Sequence, residues 1–151
     1  MDRVRPWLFV GRYLDSRDPD LLHRFRIKAM LHLADDVRLP GIISLYLPVD
    51  DGEPLPPSAL QTGVEFVRSQ KALDHRVLVA CGAGISRSVS FAIAALKEEE
   101  GLSLVDAYHA VWQVHPEAMP HPALWQSLQA YYHEDTSFGA VFDLLRQWEQ
   151  A

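Results

Sequence analysis

The period at which apolar positions recur changes several times along the chain, and each change marks an element. Leu8 to Val10 is a short apolar run that reads as a strand closed by Gly11. Asp18 followed by Pro19 is an N-cap and first-turn pair that leads into a helix through Leu21 to Phe25. Lys28 to Leu33 and Ile42 to Val49 are apolar runs bounded by Asp35, Asp36, Pro40 and Gly41, with the lengths of buried strands in one sheet. Residues 50 to 57 hold three prolines and a glycine, so a loop interrupts the regular structure there. From Ser58 to Leu73 the positions Leu60, Val64, Val67 and Leu73 fit one face of a helix, with Gly63 a weak point inside it. Val77 to Ala80 is a short buried strand ending at Cys81, and Val89 to Leu96 is apolar on every side, which puts its helix in the core. Ser103 and Asp106 form a capping box for a helix to about Val114. Prolines 116, 120 and 122 interrupt the stretch after it, and a further helix runs from Ala123 to His133. Phe138, Val141, Phe142, Leu145 and Trp148 share one stripe of a last helix. Strands alternating with helices predict an α/β fold, a central and mostly parallel twisted sheet flanked by helices. Residues 1–151 read as a single domain, with 135–151 a C-terminal helical extension docked on it.

Composition narrows the partners. At 151 residues, 48% of them apolar, the chain has room for one core. Fourteen Lys plus Arg against twenty Asp plus Glu give a formal charge of −6, a field that repels nucleic acid. The apolar run Trp7 to Val10 is too short for a secretory signal, and no stretch could span a bilayer, so no membrane partner is expected. The single cysteine, Cys81, excludes an internal disulfide and a multi-thiolate zinc site and favours a reducing compartment; the expectation is a cytoplasmic protein. No two of the seven histidines have the i, i+4 spacing of a helical zinc site, and no metal is expected. His23, His32, His75, His109 and His133 read as surface or packed residues, and His115, beside Pro116, as a loop residue with a structural role.

Candidate chemistry concentrates in Val77 to Ser90, VLVACGAGISRSVS. A strand-to-helix turn aims several backbone N–H groups at one spot, and the helix N-terminus adds partial positive charge, so an anion is favoured there. Gly82 and Gly84 permit the φ > 0 conformations of an anion-binding nest, which Ala83, Ile85 and Ser86 complete. Arg87 offers a planar fork for two phosphoryl oxygens. The same environment favours ionisation of the Cys81 thiol, the form in which sulfur is a nucleophile. Ser86 and Ser88 supply hydroxyls for capping or for the sulfur, with Ser88 the better placed for sulfur. A lone cysteine would more simply be a small buried residue, but that reading has to explain cysteine, two glycines, two serines and arginine in one strand-loop-helix setting.

With these residues the sequence resembles the dual-specificity branch of the cysteine-dependent protein phosphatases. Cys81, Gly84, Arg87 and Ser88 match the family pattern His-Cys-x-x-Gly-x-x-Arg-Ser/Thr, and Trp7 to Gly11, Tyr46 to Asp51 and Leu102 to Val111 match further segments, so the likeness covers about residues 6 to 134. The resemblance implies a phosphomonoester hydrolase acting on phosphotyrosine, and on phosphoserine or phosphothreonine, in a phosphorylated protein substrate, with no cofactor. Cys81 would attack phosphorus, residues 82–87 would bind the phosphate, and Asp51 would protonate the leaving oxygen, with the adjacent Asp50 the alternative. Asp35 and Asp36, in an earlier turn, read as solvated loop residues. Uncharged Gly82, Ala83 and Ile85 add no cations for a polyphosphorylated substrate. Two positions depart from the pattern. Ala80 replaces the histidine that supports the loop, which predicts a less depressed thiol pKa. His121 replaces an asparagine that braces the loop, a task its imidazole could perform in one tautomer only. These departures motivate the rival reading of a phosphopeptide-binding pseudophosphatase with little turnover, and a cysteine in a cradle also fits sulfur transfer of the rhodanese type.

Overall fold

Val77, Val79 and Cys81 point into one apolar layer and Leu78 and Ala80 into another, the period-2 alternation of a strand covered on both faces. The computed structural model, which describes residues 1–151, places this strand at the centre of a five-stranded sheet ordered β1-β2-β5-β3-β4. The strands are β1 (Asp2–Arg5), β2 (Leu8–Arg12), β3 (Ile27–His32), β4 (Ile43–Tyr46) and β5 (Arg76–Cys81). Only β1 runs antiparallel to its neighbour; the other pairings are parallel, as the alternation of strands and helices predicts. The larger layer holds α3 (Pro57–Ala72), α4 (Arg87–Glu100), α5 (Leu104–Val114), α6 (Pro122–Tyr132) and the start of α7 (Phe138–Gln150). The smaller layer is capped by α1 (Tyr13–Ser16) and α2 (Pro19–Arg24) through Tyr13 and Leu22.

Residues 88 to 96 of α4 are buried without exception, the environment its all-round apolar sequence predicts. Asp18 accepts a hydrogen bond from the Leu21 N–H at 3.1 Å ahead of Pro19, as its N-cap reading expects, and Ser103 accepts one from the Asp106 N–H at 3.1 Å, but the return bond from Asp106 that would complete the expected capping box does not form. Four other expectations change. The run from Ile42 to Val49 is strand only from Ile43 to Tyr46, and Ile43 is 45% exposed because β4 lies at the sheet edge. Gly11 does not close β2 but lies within it, next to the Asp15 carboxylate. β1 and α1 are additional elements: β1 contains no apolar run and is held by pairing with β2, and α1 is a single turn. Gly63 is a close-packing point: a Cβ there would lie 2.4 Å from Phe91 Cε1, so its bare Cα is what lets α3 approach α4.

Past β4 the chain stays tied to β3. Leu47 N–H donates to the His32 carbonyl at 2.8 Å and Val49 N–H to the Leu33 carbonyl at 3.0 Å. This carries Asp50, Asp51 and Gly52 to the C-terminal edge of the parallel strands, where β5 ends at Cys81. Crevices at that edge are the usual ligand sites of such sheets. The last helix, α7, buries Val141 and Leu145 and packs Trp148 edge-on against Tyr108 and at a tilt against His109 and Trp112, with ring centroids 5.6, 4.4 and 5.5 Å apart.

Candidate active site

The loop from Cys81 to Arg87 is shaped from outside by donors that take its carbonyls. Gly82 C=O accepts from the Tyr13 N–H at 3.2 Å, Ile85 C=O from the Met119 N–H at 2.9 Å, and Ser86 C=O from the Ser90 N–H and hydroxyl at 2.9 and 2.8 Å. His115 is 3% exposed and donates from Nε2 to Gly84 C=O at 2.6 Å. All peptides are trans, so each of these carbonyls fixes the following N–H in the opposite direction. The amides of residues 82–86 find no hydrogen-bond acceptor within the protein, and they lie in the loop directly ahead of α4, whose N-terminus adds its dipole. An oxyanion supplies the acceptors that these groups lack.

The two glycines do different work. Gly84 has φ +72° and lies where a Cβ would come within 3.0 Å of the Gly11 backbone, so both its conformation and its packing require glycine. Gly82 does not adopt positive φ, contrary to the sequence expectation for both. Its open side leaves room for the Arg87 guanidinium, whose Nη2 lies 3.3 Å from where a Cβ would be. Arg87 Nη1 also donates to the Val49 carbonyl at 3.3 Å, which ties the arginine to the chain segment carrying Asp51.

Cys81 is 3% exposed, with Sγ 3.3 Å from Ser88 Oγ and 3.4 Å from Ser88 N. A thiolate there can accept from both the hydroxyl and the amide of Ser88. The Ser86 hydroxyl is occupied elsewhere, accepting from the His121 N–H at 2.8 Å. Cys81, Ala83, Ile85, Ser86, Arg87 and Asp51 line one cavity of about 150 Å³, and Asp50 is not among its walls. An adjoining groove of about 250 Å³ shares Asp51, Ile85 and Ser86 and continues over Met119, Pro120 and Phe138, the last from α7.

Both departures from the family pattern have a structural setting. Ala80 lies in the smaller apolar layer with Phe9, Met30 and Leu78, and its methyl offers the loop no hydrogen bond. The His121 imidazole does not brace the loop: its Nδ1 accepts from the Ala123 N–H at 3.0 Å and caps α6, while the residue's backbone N–H makes the contact to Ser86. The bracing side chain is His115, placed by sequence in a structural loop with no contact assigned to it. Its Nδ1 lies 2.5 Å from Asp2 Oδ2 and 3.3 Å from Glu117 Oε1, so both ring nitrogens face oxygen acceptors. Asp2, His115 and Glu117 are the one cluster of potential metal ligands, with ligand atoms within 4.8 Å of one another, and in it the ring already holds a carboxylate and a carbonyl. Tyr108 steadies the same segment, its hydroxyl donating to Ala118 C=O at 2.6 Å; burial pushes that phenol's pKa far up, so it stays a donor.

Cys81, Arg87 and Asp51 thus share one cavity with a loop whose amides have no acceptor within the protein, an arrangement that can take an oxyanion. Residues 8–134 match the dual specificity phosphatase catalytic domain, and the chain belongs to that family. It is similar to mouse dual specificity protein phosphatase 15, 31% identical over 134 residues that cover 87% of this chain and 57% of that protein. The chain thus spans little more than half the length of that relative. The crystal structure of human DUSP28 superposes with a TM-score of 0.81 at 28% identity, covering 88% of this chain and 96% of that one. A crystal structure of DUSP15 superposes with a TM-score of 0.79 at 28% identity, over 98% of this chain and 94% of that one.

Proposed function

We propose that the protein hydrolyses phosphomonoesters of proteins through a cysteinyl-phosphate intermediate, with phosphotyrosine as the preferred group and phosphoserine and phosphothreonine as further substrates. The observation that carries this reading is that donors elsewhere in the protein take the loop carbonyls, while the amides of residues 82–86, in the loop that follows a nearly buried sulfur, have no acceptor. The phosphoryl oxygens accept from those amides and from the Arg87 guanidinium. The Cys81 thiolate attacks phosphorus, the S–P bond forms and the P–O bond to the leaving group breaks. Asp51 gives its proton to the departing oxygen, help typically worth ~10²- to 10⁴-fold. The Asp51 carboxylate then takes a proton from water as the water oxygen attacks phosphorus; the S–P bond breaks, phosphate leaves and the thiolate is restored. Asp51 is preferred to Asp50 because it shares a cavity with Cys81 and Arg87. Phosphotyrosine is favoured because the groove beside Asp51 offers Ile85, Met119 and Phe138 to a leaving aromatic ring.

Hydrolysis of an aryl phosphate tests the reading. Cys81→Ser abolishes turnover while vanadate still binds, and Asp51→Asn lowers kcat ~10²-fold or more. The apolar setting of Ala80 favours one other reading, a phosphopeptide-binding module with little turnover. Binding of a phosphopeptide by wild-type protein without phosphate release supports that module and contradicts the enzyme.

A further inference from the structure

We propose that the cavity at the opposite edge of the sheet, where β2, β3 and β5 begin, is a second anion site for a compact ligand carrying clustered phosphates. It encloses about 510 Å³ against about 150 Å³ over Cys81, a volume ordinary for small-molecule sites. Arg26, Lys28, Lys71, His75 and Arg76 line it, opposed by the single carboxylate of Asp74. On a chain of net charge −6 this concentration of cations runs against the composition, and a concave basic wall focuses potential whatever the sign of the whole.

Counter-charge is scarce inside this cavity, where Lys71 alone among the lysines and arginines has a carboxylate partner, Glu99. Arg26, Lys28 and Arg76 form no ion pair, although Asp74 lies in the same cavity. Several of the groups are also fixed by the frame. Arg76 Nη1 donates to Phe25 C=O at 3.2 Å, which anchors one edge of its fork and leaves the rest open. Lys71 is held between Glu99, at 2.7 Å, and the ring of Trp7, with Nζ 5.0 Å from the centroid. The Nδ1 of His75 is engaged by Gln70 Oε1 at 2.8 Å. Like charges gathered in excess of their counter-charges disfavour one another until an anion arrives. The guanidinium groups of Arg26 and Arg76 and the ammonium group of Lys28, none of them in an ion pair, suit a ligand with more than one phosphate. β5 separates the cavity from the cradle by about 16 Å at 3.3 Å per residue, so the ligand does not touch the substrate's phosphate.

The test is a titration of ¹⁵N-labelled Cys81→Ser protein with sodium tripolyphosphate, followed by amide chemical shifts, alone and with Arg26→Glu and Lys28→Glu added. The proposal predicts saturable shifts at Arg26, Lys28 and residues 74–76, weakened at least tenfold by the charge reversals, while shifts at residues 82–87 persist. Absence of saturable shifts at the basic cavity, or equal affinity in the reversed protein, overturns it. In otherwise wild-type protein the two reversals leave aryl phosphate hydrolysis and the melting temperature unchanged. If they disturb folding, Arg26→Gln with Lys28→Gln takes their place, with the same predicted direction and the same overturning result. Sedimentation with phosphatidylcholine vesicles containing phosphatidylinositol bisphosphate, competed by tripolyphosphate, assigns the phosphates to a lipid headgroup. Tripolyphosphate binding without sedimentation assigns a soluble ligand.

Discussion

Gly84 C=O depends on one buried side chain for its partner. His115→Leu removes the Nε2 donor and leaves the carbonyl unsatisfied, which costs about 1–3 kcal/mol, and the peptide that presents the Ile85 N–H loses its restraint. Urea denaturation is expected to show that loss, and aryl phosphate hydrolysis a fall in kcat/KM that His115→Asn, which keeps one donor, partly restores. Unchanged kinetics in His115→Leu would show that the loop holds its shape without the brace. Spacing singled out Cys81 and Arg87 as candidates because they lie within one strand-turn-helix segment, whereas Asp51, on a separate loop, was picked out through the family resemblance. It did not supply His115, whose partners are 31 and 113 residues away, nor the separation of roles between Gly82 and Gly84, because both follow from tertiary approach.

Gly63 sets the contact between α3 and α4. Alanine there brings a methyl within 2.4 Å of Phe91, a ring with no exposed surface. Overpacking of this kind costs about 1–3 kcal/mol, set against about 1 kcal/mol gained from helix propensity. Gly63→Ala is therefore expected to lower the urea midpoint, and a raised midpoint would mean that the helices do not meet closely. Elements with a full apolar period, such as β5, α4 and α5, were legible from the chain alone. The short ones were not: β1 buries only Val4, α1 is four residues long, and β4 exposes the side that an interior strand would cover. Each is held by neighbours rather than by its own pattern.

Across the whole molecule, stability is linked to protons through His32, which is 1% exposed and in register with Ala80. Burial is the main cause that holds its pKa below the usual 6.5. The unfolded chain therefore takes up this proton first as the pH falls, so the His32 contribution is fully present above pH 6.5 and is lost as the pH drops through the lower folded value. Wild-type protein is expected to lose more stability between pH ~7.5 and pH ~5.5 than His32→Gln, as read from urea midpoints; an equal loss in both would acquit His32. The sheet also sets an order on the charges: its C-terminal edge holds the cradle, and its N-terminal edge collects unpaired cations that the net charge of −6 conceals. The central claim is that an oxyanion held by residues 82–87 accepts the Cys81 sulfur, and its most direct test is mass spectrometry of Asp51→Asn protein, acid-quenched soon after mixing with an aryl phosphate. The account predicts one phosphoryl group on the peptide containing Cys81, accumulating because water is no longer activated. Release of the phenol with that peptide unmodified, or with phosphate on another residue, would contradict it.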